Sequence, residues 1–118
     1  MYEFYNANPL GLYEDDCVIR AISCATNKSW DQVYDELSDE AQAKGTLLDK
    51  VVFVRGYLDS HFKRISNPPY KVYQAALNFK NNIVICSMRG HLVCIKYGKI
   101  LDTINPSNKI IEDVWVVK

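Results

Sequence analysis

The spacing of apolar positions changes once along the chain. Up to about residue 79 they recur at helical intervals, and after Asn81-Asn82 they come in short β-like runs. A first helix is predicted over about residues 15–26. Val18, Ala21, Ile22 and Ala25 mark one stripe on it, and Cys17, Ala21 and Cys24 mark an adjacent one. Only Arg20 and Ser23 interrupt the apolar surface, so this helix should be buried on most sides. Asn27 is its predicted stop.

A second helix should begin after Ser29, whose hydroxyl can cap it. Trp30, Val33, Tyr34, Leu37 and Ala41 keep helical spacing, with Asp31, Asp35, Glu36 and Asp39 on the wet face and Gly45 as terminator. A third is predicted from residue 47 to about 60 on the spacing of Leu47, Val51, Val54 and Leu58. There the β-branched run Val51-Val52-Phe53-Val54 competes for a strand. Residues 1–14, broken by Pro9 and Gly11, read as an irregular aromatic arm. Beyond Pro68-Pro69 a short helix over 72–79 precedes strands over 83–87, 92–97, 100–103 and 114–117. Gly98-Lys99 fits a two-residue hairpin turn with glycine first. Helices followed by an antiparallel sheet define an α+β class, with a buried central helix packed on a C-terminal sheet.

The 118 residues predict one domain spanning 1–118, enough to bury roughly two-thirds of the unfolded surface. Fourteen basic and fourteen acidic residues cancel, leaving no broad positive field for nucleic acid. The acidic N-terminus has neither signal- nor transit-peptide character. No apolar run reaches the roughly eighteen residues of a membrane span. The expectation is a cytosolic protein, with neither nucleic acid nor membrane as partner.

Four cysteines, Cys17, Cys24, Cys86 and Cys94, form no CxxC pair, and no histidine lies at zinc-finger spacing. Neither a metal nor a disulfide framework is therefore expected. Cys24, Cys86 and Cys94 lie inside apolar runs and read as small buried hydrophobes. Cys17 differs by position, at the start of a helix whose free N–H groups and dipole favour an anion.

Downstream, Gly90-His91 opens a strand, and Asp102 and Asn105 follow on the next. A thiolate needs a base beside it, and a histidine in that role needs a partner on its far nitrogen. Cys17, His91, Asp102 and Asn105 are thus the candidate catalytic residues. With the turn at Gly98-Lys99, Ile95 pairs with Asp102, which shares a face with His91 but lies roughly 13 Å down the ladder. Asn105 is nearer in height but on the other face, unless a bulge shifts the register. A carboxylate orients an imidazolium better, which favours Asp102. For an oxyanion hole the backbone N–H of Cys17 is one candidate donor, and Asn8 and Asp16 are the weaker candidates beside it. Asp15 and Asp16 next to the thiol oppose a thiolate unless they cap the helix and point away. Arg20 should pair with an acid such as Asp16 or snorkel outward. His61 should serve the end of its helix. Trp30, Tyr34 and Trp115 read as core, and Tyr2, Tyr5 and Tyr13 either cover the cleft or form a partner surface.

The segments DCVIRAISCATNKSWDQVYDEL and RGHLVCIKYGKILDTINPS resemble small bacterial and phage papain-like cysteine proteases, relatives of bacteriocin-leader peptidases. That group carries a DC-x-x-RA helix start, a GH-strand-G-strand-D hairpin, and an Asn or Asp soon after; the likeness covers most of residues 12–117. It implies a papain-like fold in which Cys17 is nucleophile, His91 base, and Asp102 or Asn105 the orienting residue. It also implies a peptide or protein substrate and no cofactor. The papain pattern has a glutamine six positions before the cysteine, where this chain has Gly11. That departure keeps a second reading open: a papain-fold binding protein with a weak or inactive site, for example a phage-encoded inhibitor of a host system. A third reading makes the cysteine a redox sensor, but leaves the His91 hairpin without a role.

Overall fold

A computed structural model describes residues 1–13 and 15–118. Glu14, the last residue of the predicted arm, lies outside the described residues. Four helices pack against a six-stranded mixed sheet in an α+β arrangement. In chain order the elements are β1 (Tyr2–Phe4), α1 (Cys17–Thr26), α2 (Trp30–Ala43), α3 (Val51–His61), β2 (Lys63–Arg64), α4 (Val72–Asn78), β3 (Ile83–Met88), β4 (His91–Lys96), β5 (Lys99–Asp102) and β6 (Asp113–Val116). The sheet order is β1-β5-β4-β3-β6-β2. All pairings are antiparallel except β1 on β5, which is parallel, so the sheet is not the purely antiparallel one expected.

The helix α1 is buried from Ile19 through Ala25, Arg20 and Ser23 included, and ends at Asn27 in the left-handed region. Alternate residues of the central strands face two clusters. Ile83, Ile85, Leu92, Cys94 and Trp115 pack with α1, α2 and α3. Val84, Cys86, Val93, Ile95 and Ile100 pack with α4. That two-sided burial is why the β3 and β4 sequences read as continuous apolar runs.

Ser29 caps α2 as expected. Its hydroxyl accepts the Gln32 N–H while the Gln32 side chain accepts the Ser29 N–H, a full capping box. At the other end the N–H groups of Thr46 and Gly45 bond the carbonyls of Ala41 and Gln42, closing the helix at Gly45. The third helix starts four residues later than its spacing predicts. Leu47 to Lys50 form a turn, with the Lys50 N–H on the Leu47 carbonyl, and Leu47 is exposed. Its apolar side chain serves a groove described below rather than a helix face.

Two short strands are absent from the sequence reading. The strand β1 lies in the predicted irregular arm, and its three residues run alongside Ile100, Leu101 and Asp102. The two residues of β2 pair with Val116 and Trp115. Neither is long enough to show a period. Among the described residues no helix is long and apolar enough to cross a membrane.

Candidate active site

The connection between β3 and β4 is the two-residue turn Arg89-Gly90, which leaves His91 opposite Met88 as the first residue of β4. The next turn departs from expectation. Lys96 pairs with Lys99 and Ile95 with Ile100, so the turn residues are Tyr97-Gly98, not Gly98-Lys99. Both have positive φ, 52° and 83°, the signature of the type I′ turn whose twist suits a hairpin. This moves the register by two. Continuing it sets Asp102 across from Val93, two residues from His91 rather than four.

The side chains meet: His91 Nε2 lies 2.6 Å from Asp102 Oδ2. The Asp102 carboxylate is fully buried, and its other oxygen, Oδ1, accepts the Thr103 N–H at 2.7 Å and Arg20 Nη2 at 3.0 Å. Its backbone carbonyl accepts the Tyr5 N–H and the Tyr2 hydroxyl, at 2.9 and 3.0 Å. Two of the arm's tyrosine positions therefore brace the end of β5 instead of covering a cleft.

The N-terminus of α1 abuts this end of the sheet. Cys17 is the first helical residue, and it is partly exposed while Cys24, Cys86 and Cys94 are buried. Burial pushes the Cys86 thiol up to about 12, out of reach of neutral-pH chemistry. The hydrogen bond to Asp102 raises the His91 imidazole to about 9, the neighbouring Cys17 thiol adds to the rise, and burial works against it. Burial pushes Asp102 upward, but His91, the Thr103 N–H and Arg20 together hold it below the usual aspartate value. With Nε2 taken by Asp102, Nδ1 is the ring nitrogen left for the thiol. The early N–H groups of α1, that of Cys17 among them, have no intrahelical partner and can receive an anion.

Asp16 does not oppose a thiolate as a free charge. Arg20 Nη1 donates to its Oδ1 at 2.6 Å and Trp30 Nε1 to its Oδ2 at 2.8 Å. With all its carboxylate oxygens accepting, Asp16 has no side-chain donor for an oxyanion, and it makes no side-chain cap to α1. Asn8 uses its side-chain oxygen within the arm, accepting the N–H of Leu10 and Leu12, and the Asn6 amide donates to the Leu12 carbonyl. Asn105 is exposed and accepts from the backbone and hydroxyl of Ser107, holding its own turn, so Asp102 and not Asn105 reaches His91. His61 ends α3, its Nδ1 3.0 Å from the Tyr57 carbonyl.

Cys17 and His91 open onto a groove of about 1300 Å³. It is lined by Trp30 and Tyr34 of α2, by Leu47 and Leu48 of the turn after it, by residues of α3, and by the β3–β4 turn and the start of β6. Trp30 is half-buried against the core cluster and also faces the groove, while Tyr34 is exposed and is a groove residue rather than core; the two rings stack with centroids 5.3 Å apart. Trp115 is core, 1% exposed, with its indole N–H on Asp59. Asp15, Asp49 and Glu112 are exposed on the rim, while Asp113 there is matched by Arg55 and Arg64.

What pattern reading missed is Arg20 as a bridge between Asp16 and Asp102. An arginine inside an otherwise apolar helix was the available signal, because a buried guanidinium requires buried acceptors. No protein-family model, curated protein or solved structure matches this chain. The site stands on its geometry.

Proposed function

We propose that the protein is a papain-like thiol hydrolase acting on a peptide or isopeptide bond, with Cys17 as nucleophile, His91 as acid–base and Asp102 as its orienting partner. The observation that carries this is the Asp102–His91 contact of 2.6 Å, made by a histidine whose ring also neighbours the one partly exposed cysteine, at a helix start on a groove wall.

The chemistry follows from these positions. The Cys17 sulfur, as thiolate, attacks the substrate carbonyl carbon, and the oxygen takes the electron pair beside the free N–H groups of α1. As the tetrahedral adduct collapses, the C–N bond breaks and His91 gives its proton to the departing nitrogen. Neutral His91 then takes a proton from water, whose oxygen attacks the thioester; the acid product leaves and the thiolate returns. Asp102 keeps the ring in the tautomer that points Nδ1 at sulfur. A flexible polypeptide segment fits the groove, with apolar side chains against Trp30, Tyr34 and Leu47 and basic ones toward the exposed rim acids.

The test is the rate of alkylation of Cys17 against pH, resolved by peptide mapping, in wild type and His91→Ala. Selective labelling at about pH 6 that disappears with His91 supports the reading. Labelling of Cys17 only near pH 8.5, as for an ordinary thiol, sinks it.

A second reading, a binding protein on the same scaffold, is favoured by one observation: Gly11 stands where papain-like proteins carry a glutamine, and the Asn6 amide upstream of Cys17 donates within the arm instead. Under it, Cys17→Ala retains the biological effect.

A further inference from the structure

Arg20 is 4% exposed and sits between two carboxylates. On one side Nη1 reaches Asp16 at 2.6 Å; on the other Nη2 reaches Asp102 at 3.0 Å. Asp16 is held in turn by the Trp30 indole at 2.8 Å. The chain Trp30–Asp16–Arg20–Asp102–His91 links α2, α1, β5 and β4 beneath the groove. Removing one member of such a buried ionic set leaves the others uncompensated.

The reaction gives this arrangement a further task. While His91 is protonated, Asp102 has two cations against it. When His91 hands its proton to the leaving nitrogen, one of them is gone. A fully buried carboxylate without a counter-charge is costly, and the system would avoid that state by keeping the proton on His91. A guanidinium does not release its proton at working pH, so it remains as the counter-charge throughout.

We infer that Arg20 is a positioning residue of the site, a permanent cation that aims Asp102 and takes up its charge once His91 has given its proton away, with Asp16 and Trp30 anchoring Arg20 from behind. The inference rests on the Cys17–His91–Asp102 reading above. Of the other charged groups near the ring, Asp15, Asp49 and Glu112 stand exposed to solvent on the groove rim, where water screens them. Cys17 neighbours the ring from α1. The residue opposite on β3 is the uncharged Met88, with Arg89 in the turn beyond. On β6, Asp113 pairs with Arg55 and Arg64, and on β1, Glu3 pairs with Lys99.

The chain has only two histidines, so a proton NMR titration resolves His91 directly. The main variant is the double substitution Asp16→Asn with Arg20→Gln, which removes both charges together and keeps hydrogen-bonding groups in place. Its His91 midpoint is expected to rise by about one pH unit, because the neutral ring now leaves Asp102 without a cation. The His61 midpoint should not move. Turnover of a peptide substrate should fall about tenfold or more, with little change in KM. Arg20→Lys, which keeps the charge, should hold the midpoint within a few tenths of a unit. In an Asp102→Asn background the Arg20 substitutions should no longer shift His91.

An unmoved His91 midpoint in the folded double variant overturns the inference, whatever the activity. So does a shift in Arg20→Lys as large as in the double variant. Failure of the hydrolase reading is seen elsewhere, in the alkylation profile of wild-type Cys17, and the two failures are therefore separable.

Discussion

His91 Nε2 lies 2.6 Å from Asp102 Oδ2, and a two-residue turn makes that contact possible. Had the hairpin turned one residue later, Asp102 would sit about two residues further along the ladder, some 7 Å away at strand spacing. The site thus depends on a turn several residues from either side chain.

That dependence gives the first prediction. Asp102→Asn should lower turnover by about 10²- to 10⁴-fold, since the ring loses the anion that selects its tautomer. Asn105→Ala should leave the rate unchanged, because the Asn105 side chain turns away to accept from Ser107. Steady-state kinetics of the two variants decide the matter; a large loss in Asn105→Ala alone would reverse the assignment.

Stability should fall on the alkaline side. The folded-state His91 value of about 9 lies above the ordinary 6.5. Its contribution is therefore fully present below about pH 6.5 and is lost as pH rises through 9, with a ceiling of about 3 kcal/mol. Asp102 acts in the opposite sense. Held low, its contribution is present above about pH 4 and lost as pH falls through its folded value. Urea melts of wild type and His91→Ala from pH 6 to 10 should converge at the alkaline end. Parallel curves would refute the assignment.

The turn itself is testable. Tyr97 holds a φ of 52°, a conformation that costs a bulky residue about 1 kcal/mol. Tyr97→Asn, giving the Asn-Gly pair that type I′ turns favour, should stabilise the fold by about 0.5–1 kcal/mol. Gly98→Ala should destabilise by at least as much. Gly98 has a φ of 83°, and an added Cβ would stand 3.3 Å from the Ala76 carbonyl oxygen. Thermal melts of both variants check the pair of signs.

The groove predicts a separation of binding from chemistry. Leu47 is 64% exposed and lines the groove. Leu47→Asp should change stability by less than about 0.5 kcal/mol, as surface substitutions do. It should raise KM for an apolar peptide while leaving Cys17 alkylation by a small reagent unaltered. An unchanged KM would remove Leu47 from the binding surface.

The elements themselves were legible in the amino-acid sequence wherever a local rule governs them. The α1 run from Ile19 to Ala25 is buried all round and reads so. Ser29 announces the start of α2, and Gly45 its end. The central strands β3 and β4 appear as apolar runs because both faces of the sheet are covered there. Cys17 and His91 stood out for the same reason: a thiol at a helix start and a histidine after a tight turn are local facts. What sequence could not decide are pairings across distance. Which of Asp102 and Asn105 meets His91 depends on hairpin register, and a shift of turn by one residue moves the partner by two. Whether Asp16 opposes a thiolate depends on Arg20, four residues on in α1, which pairs its charge, and on Trp30, whose indole N–H reaches it only once α2 lies against α1. The strand β1 exists only because β5 offers it an edge, and the groove only because residues from α1, α2, α3 and the sheet come to line one space. Local propensity and period are written residue by residue; register, burial of charge and the shape of a cleft are set by which distant surfaces finally exclude water from one another.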